Sequence, residues 1–258
     1  MRLMNYASFP NLSSLDTFWI KLRQEAKELA KKEAAMSKLL QQGVLNHTSF
    51  SEALVNRLAL KLSNDEINAT SLKDIIEKTL QRTPEIVDAA LADMRAVYER
   101  DPACHSLIQI FLFFKGFIAL QAYRISHSLY CHQQREMAYH IQSRVSELFC
   151  IDIHPAAILG RGIMIDHAHA IVIGETATVG DNVSLLHSVT LGGTGKISGD
   201  RHPKIGNGVV IGAGAKVLGN IQVGDRSCIA AGAVVLRDIP SLCTAAGVPA
   251  KFIEKNNS

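Results

Sequence analysis

Ile205-Gly-Asn-Gly-Val-Val-Ile211-Gly-Ala-Gly-Ala-Lys-Val217-Leu-Gly-Asn-Ile-Gln-Val223-Gly-Asp-Arg-Ser-Cys-Ile229-Ala-Ala-Gly-Ala-Val-Val235 carries an aliphatic side chain at every sixth residue. The same beat runs upstream through Ile173, Val179, Leu185 and Leu191. A second column falls four residues later in each unit, at Ala177, Val183, Val189, Val209, Ala215, Ile221 and Ala233. Helices repeat every ~3.6 residues and half-buried strands every two, so a period of six fits neither. It fits a parallel β-helix, in which each hexapeptide is one short strand plus a corner that Gly can turn, as at Gly206, Gly212 and Gly224. One such unit cannot bury its apolar column alone, so the units stack into a prism.

The beat is interrupted once. Leu191 and Ile205 are fourteen residues apart, eight more than one unit needs. The intervening Gly192-Gly-Thr-Gly-Lys-Ile-Ser-Gly-Asp-Arg-His-Pro-Lys204 is rich in Gly and basic residues and reads as a loop extruded from the prism over 192–204. Loops on a rigid scaffold carry function disproportionately, although a tolerated surface insertion has the same appearance.

The rest of the chain narrows the class. The 27 basic and 24 acidic residues leave a net charge of +3, without the basic stripe that nucleic acid requires. Cys104, Cys131, Cys150, Cys228 and Cys243 are scattered, odd in number and without C-x-x-C spacing, which points to reduced thiols in a cytoplasmic protein. Lys21, Arg23 and Glu25 fall where a signal peptide would be apolar. The apolar run from Leu107 to Phe114 stops at Lys115, far short of the roughly twenty residues of a membrane span.

The first half reads as helical. Leu12, Leu15, Trp19, Leu22, Ala26 and Leu29 make one stripe, and further helices are expected over 50–62, 72–80, 85–100 and 136–149. Thr83-Pro84-Glu85 reads as an N-cap, a first-position proline and an acid at the positive helix end. Residues 107–129 read as one long helix or a broken pair. The expected organisation is α+β: an α-helical oligomerisation or capping domain over 1–150, a β-helix over 151–240 and a C-terminal tail over 241–258.

Candidate chemistry lies where the apolar column fails. Counting back by sixes from Ile173 lands on His167, Arg161 and Pro155. With eighteen residues to a three-sided coil, Asp152 and His167 fall on neighbouring coils, three residues short of direct stacking. A carboxylate that fixes an imidazole tautomer makes a general base near neutral pH. His154, His169 and His187 read as surface or interface residues, and histidines on adjacent coils also leave a zinc site open.

Longer strings then become recognisable. Asp152-Ile-His-Pro-Ala-Ala-Ile-Leu-Gly-Arg-Gly-Ile-Met-Ile-Asp-His167, Gly174-Glu-Thr176, Ser188-Val-Thr-Leu-Gly-Gly-Thr-Gly-Lys196, Gly199-Asp-Arg-His-Pro-Lys204 and Ala246-Gly-Val-Pro-Ala250 closely resemble bacterial serine O-acetyltransferase. Arg100-Asp-Pro-Ala103, Lys115-Gly-Phe117 and Ala122-Tyr-Arg124 resemble it more weakly. The resemblance implies a left-handed β-helix in homotrimers or dimers of trimers. It also implies transfer of acetyl from acetyl-CoA to the hydroxyl of L-serine, giving O-acetylserine for cysteine synthesis.

Carried over residue by residue, the resemblance makes His167 the base and Asp152 its orienting carboxylate. Arg201 and His202 meet the serine carboxylate, with Asp101 and Asp166 on its amino side. Gly193, Thr194, Ala213 and Ala231 fall on the coenzyme A groove, with Lys196, Lys204 and Lys216 as candidates for its phosphates. No metal is implied, and L-cysteine is implied as a feedback inhibitor at the serine pocket.

Two departures stand out. Relatives typically read Asp-His-Ala-Thr-Gly where this chain reads Asp166-His-Ala-His-Ala170. The chain also ends at Ser258 without the longer isoleucine-terminated tail by which many relatives dock O-acetylserine sulfhydrylase, so that complex is not expected. The alternative readings are a same-fold acetyltransferase acting on a sugar or homoserine, a zinc hydratase of the γ-carbonic anhydrase type, which shares the fold, and a non-catalytic assembly subunit.

Overall fold

The computed structural model describes residues 15–195 and 198–253. Leu12 and Lys196, and the end of the chain beyond residue 253, lie outside the described residues.

Eight α-helices come first: α1 Leu15–Lys32, α2 Ser37–Leu40, α3 Phe50–Leu62, α4 Ala69–Arg82, α5 Glu85–Arg100, α6 Leu107–Phe113, α7 Lys115–Cys131 and α8 Arg135–Phe149. The α1 stripe buries Phe18, Trp19, Leu22 and Ala26. Side-chain caps start α3 (Ser49 accepting from Glu52 N–H), α4 (Asn68 from Ser71) and α6 (Ser106 from Gln109). Thr83 makes no such cap: Pro84 takes the N-cap position without a side-chain bond, and the Thr83 hydroxyl pairs with Ser128 Oγ at 2.7 Å. A tertiary partner thus outcompetes the local one. The run from 107 is a broken pair, α6 and α7 meeting at Phe114 with a 65° bend. No single helix among the described residues is long and apolar enough to cross a membrane.

From Ile151 the chain winds into a three-faced prism of parallel strands. The first face stacks strands 151–153, 171–173, 190–192, 216–218 and 234–235. The second stacks 158–159, 178–179, 204–205 and 222–223, and the third begins with 164–165, 184–185, 210–211 and 228–229. On the third face 244–246 follows, with 251–253 folded back antiparallel on it, so the prism continues past residue 240. The aliphatic columns point inward, and Ile173, Val179, Leu185, Leu191, Val209, Ile211, Val217 and Ile229 are all buried.

Register measures each coil. Between the fourth and fifth strands of the first face the step is eighteen residues, Lys216 pairing with Val234. Across the interruption it is twenty-six, Lys216 pairing with Thr190, which is the eight-residue insertion. The first coil takes twenty, since Ile151 pairs with Ile171, Ile158 with Thr178 and Met164 with Ser184. Two residues are therefore inserted between Ile165 and Ile173. The inward column of that coil is Ile153, Leu159 and Ile165, all buried, rather than Pro155, Arg161 and His167. This corrects the count by sixes: Arg161 and His167 are exposed at prism corners and need no buried partner.

The helices grip this first coil. Asp93 on α5, fully buried, accepts from Arg124 Nε and Nη2, from Gln121 Nε2 and from the Ile163 N–H. Arg124 also donates to the Gly160 carbonyl and Tyr123 to that of Ala157. Arg100 reaches the carbonyls of Gly162 and Asn182. At the start of α7, a methyl on Gly116 would lie 2.2 Å from the Ile165 carbonyl oxygen, so only glycine lets that helix approach.

Candidate active site

The corner joining the third face to the first carries His167. The two inserted residues fall here, and His167, Ala168 and Ala170 all have left-handed backbone, with φ of 53°, 48° and 54°. L-residues adopt that region at a cost, and such strain clusters at functional sites. The corner lifts His167 off the prism with its side chain 73% exposed and Nε2 3.8 Å from Asp166 Oδ2. Asp101, which ends α5, shares with Asp166 and His167 a cavity of about 640 Å³ walled by Val97, Phe113, Phe114 and Met164. Asp101 is held by the Ala103 N–H at 2.8 Å. The helical half thus contributes a carboxylate to the pocket of the candidate base.

Along the same prism edge the next corners present His187, Ala213 and Ala231, twenty, twenty-six and eighteen residues apart, as the strand registers require. His187 meets His167 edge-on, ring centroids 5.6 Å apart at 83°. An eighteen-residue coil leaves His187, read from the sequence as a surface or interface residue, two positions out of step with His167; the twenty-residue coil stacks the two imidazoles. Below them a methyl on Gly212 would lie 2.5 Å from the Ala231 nitrogen, so only glycine fits beside these small corners.

Asp152 lies elsewhere in the chain. It belongs to the first strand of the same coil as His167, not to a neighbouring coil, and points outward from the first face. Its Oδ1 accepts from Gln142 Nε2 on α8 at 2.7 Å, in a separate cavity with Tyr139, Ser143, Ser146 and Glu147. No hydrogen bond or ion pair joins Asp152 to His167 within one chain.

Arg201 and His202 occupy the opposite edge of the first face. The extruded loop folds back one coil, so that the N–H groups of both donate to Thr176 Oγ1 at 3.0 and 3.1 Å. His202 is only 6% exposed. Its Nδ1 accepts from the Thr176 N–H at 3.1 Å and faces the Thr176 hydroxyl at 2.8 Å, so the neutral ring carries its proton on Nε2. Burial first, and then the Arg201 charge, hold the His202 pKa below the usual histidine value. Arg201 Nη2 donates to Glu175 Oε2 at 2.7 Å, and that bond holds the Glu175 carboxyl below its ordinary range. His154 is the first-coil histidine of this edge, its pKa lowered chiefly by burial. Glu175 and Thr176, which orient the loop, carried no signal beyond membership of a recognisable string.

Gly193 and Thr194 lie at the root of this loop, across the first face from Ala213 and Ala231. Lys204 Nζ is engaged by Asp200 Oδ1 at 2.6 Å and by the Thr176 carbonyl, and Lys216 Nζ by the Ser188 carbonyl. One chain thus separates the candidate residues into one set at each edge of the first face, with Asp152 on the face between them. Among the described residues no group of three or more His, Cys, Asp or Glu is placed to hold a metal ion.

Known proteins resolve what this arrangement belongs to. A family model described as serine acetyltransferase, N-terminal, matches residues 18–122, and one for six bacterial transferase hexapeptide repeats matches 202–237. A serine acetyltransferase of Haemophilus influenzae is 48% identical over 240 residues, 93% of this chain and 90% of that protein. The chain belongs to the serine acetyltransferase family. It is accordingly an acyltransferase. Three solved family structures superpose with TM-scores of 0.91: the soybean enzyme complexed with serine, the Brucella abortus enzyme in complex with coenzyme A, and a serine acetyltransferase in complex with cysteine. They are 46%, 48% and 48% identical to this chain, cover 93%, 95% and 93% of it, and are themselves covered to 98%, 98% and 100%.

Proposed function

We propose that the chain transfers the acetyl group of acetyl-CoA to the hydroxyl of L-serine with His167 as general base. The observation that carries this reading is the lifted corner: an exposed imidazole beside Asp166 and Asp101, in line along one edge with the small corners at Ala213 and Ala231. His167 takes the hydroxyl proton as the serine oxygen attacks the thioester carbonyl. The tetrahedral intermediate collapses with cleavage of the C–S bond, and the imidazolium returns the proton to the departing thiolate. Backbone N–H groups of the glycine-rich loop are suited to the intermediate's oxyanion. Asp166 and Asp101 suit the substrate ammonium, and the Arg201 fork with His202 suits its carboxylate.

Because Arg201, His202, Gly193 and Thr194 sit on the far edge of the first face, we place the complete site between two copies of the chain. One copy's His167 edge then faces the other's loop. A homotrimer, alone or paired, closes such contacts around a threefold axis. Asp152 projects from the face that this packing covers, which is where it can release Gln142 and orient His167. L-Cysteine, which differs from serine by a thiol for the hydroxyl, fits the same pocket as an inhibitor. The five free thiols support a reducing, cytoplasmic setting.

The test is coenzyme A release from acetyl-CoA with L-serine, compared with His167→Ala. Loss of about two or more orders of magnitude is expected on removing the base. Serine-dependent release undiminished in the variant overturns the mechanism, and release only with homoserine or a sugar overturns the substrate.

A further inference from the structure

A second nucleophile and base meet at the C-terminal end of α7, and neither has a part in the site described above. Cys131, the last residue of that helix, is exposed, and its Sγ lies 3.7 Å from Nε2 of His127, one turn earlier. The tautomer of His127 is fixed: Nδ1 lies 2.7 Å from the Pro155 carbonyl oxygen, which only accepts. Nδ1 therefore carries the proton, and the Nε2 lone pair faces the thiol. The ring is steadied against Tyr123, centroids 5.8 Å apart. Nucleophile, base and an acceptor orienting the base form the arrangement that activates cysteine. As the negative end of the α7 dipole, the C-terminus favours the imidazolium half of the pair over the thiolate half.

The pair opens into a cavity of about 450 Å³ between α5, α7 and the first coil, large enough for a small organic ligand. Arg82, Arg124 and Glu85 line it; Arg82 Nη2 donates to the Gln134 amide oxygen at 3.3 Å and, among the described residues, forms no ion pair, so the two guanidinium groups outweigh the one carboxylate. The other thiols lack this setting. Burial pushes the Cys104 thiol up to about 11, Cys228 and Cys243 are half-buried, and Cys150 is exposed without an imidazole.

We propose that Cys131 is a thiolation site for a small carboxylate-bearing disulfide of the glutathione type. His127 Nε2 takes the thiol proton as Cys131 Sγ attacks one sulfur of the disulfide. The new S–S bond forms as the old one breaks, and the departing thiolate receives the proton from the imidazolium. The disulfide is the oxidant, so the exchange is balanced.

The full-length protein is treated with glutathione disulfide near pH 7 and mapped by peptide mass spectrometry, with Cys150 as the internal reference. Cys131 is expected to react at least about tenfold faster than Cys150. His127→Gln should remove most of that advantage near neutral pH. At about pH 9.5, where an ordinary thiol ionises unaided, variant and wild type should converge. Equal rates at Cys131 and Cys150, or a Cys131 rate that His127→Gln leaves unchanged near pH 7, overturn the proposal. Cys131→Ser, which leaves the His127–Pro155 clamp intact, must abolish the fast incorporation; if it persists, the site is wrong.

Discussion

Gly174 tests whether His202 is held by shape as well as by hydrogen bonds. Its φ is not in the left-handed region, so alanine is acceptable to its backbone. A methyl there would nevertheless lie 2.0 Å from His202 Nε2 and 2.1 Å from Cδ2, far inside van der Waals contact. The Gly174→Ala ring must leave its slot, losing the Thr176 N–H and hydroxyl contacts to Nδ1. Two such bonds are worth about 2 kcal/mol, and the lost packing of a nearly buried ring raises the cost to about 3 kcal/mol. For a chain of this length that is a fall in Tm of roughly 6–12 °C.

The assay is thermal denaturation of Gly174→Ala, His202→Ala and the double variant. If the methyl acts only through the ring, its cost vanishes in the His202→Ala background. Additive costs would refute the reasoning, since the methyl would then be acting on something else. There is also a pH signature. A histidine whose folded pKa lies below its unfolded value contributes full stability above about pH 6.5, and that contribution is lost as the pH falls towards the folded value. Expelling His202 into water should flatten this acid-side slope, and denaturant midpoints between pH 7 and pH 5 measure it.

Other expectations follow from single contacts. Ala170 sits at φ 54°, so Ala170→Gly should stabilise the fold by about 0.5–1 kcal/mol, and a lower denaturant midpoint would contradict the strain argument. Arg124→Met strands the buried Asp93 carboxylate and should cost about 3–5 kcal/mol; a loss below about 1 kcal/mol in chemical denaturation would mean that Gln121 and the Ile163 N–H suffice. Arg201→Lys forfeits the planar fork held by Glu175, so KM for serine should rise about tenfold or more while KM for acetyl-CoA stays within about twofold. Equal changes in both would remove Arg201 from the serine carboxylate.

The comparison of sequence and structure turns on two inserted residues. The period of six gave the prism, its inward columns and the extruded loop, because a repeated hydrophobic spacing is a property of the chain itself. It also misplaced the first coil, since no local signal marks the extra pair between Ile165 and Ile173. That slip put His167 in an inward column and two positions out of step with His187; the separate misplacement of Asp152 came from reading fifteen residues, less than one coil, as a step to the next coil. Thr83 shows the same limit on a smaller scale: a good local cap was overruled by Ser128, forty-five positions away.

The amino-acid sequence by itself determined the architecture, the family strings and the residue types that acyl transfer needs. Spacing, turn residues and motif identity are all read along one dimension. Only the tertiary structure decided which of those residues can meet. The corners of a prism are set by cumulative register, and a first face of finite width separates His167 and its carboxylates from Arg201 and His202 on the far edge. The same folding brought His127 to the Pro155 carbonyl, fixing the tautomer that faces Cys131, a relation that linear spacing does not encode.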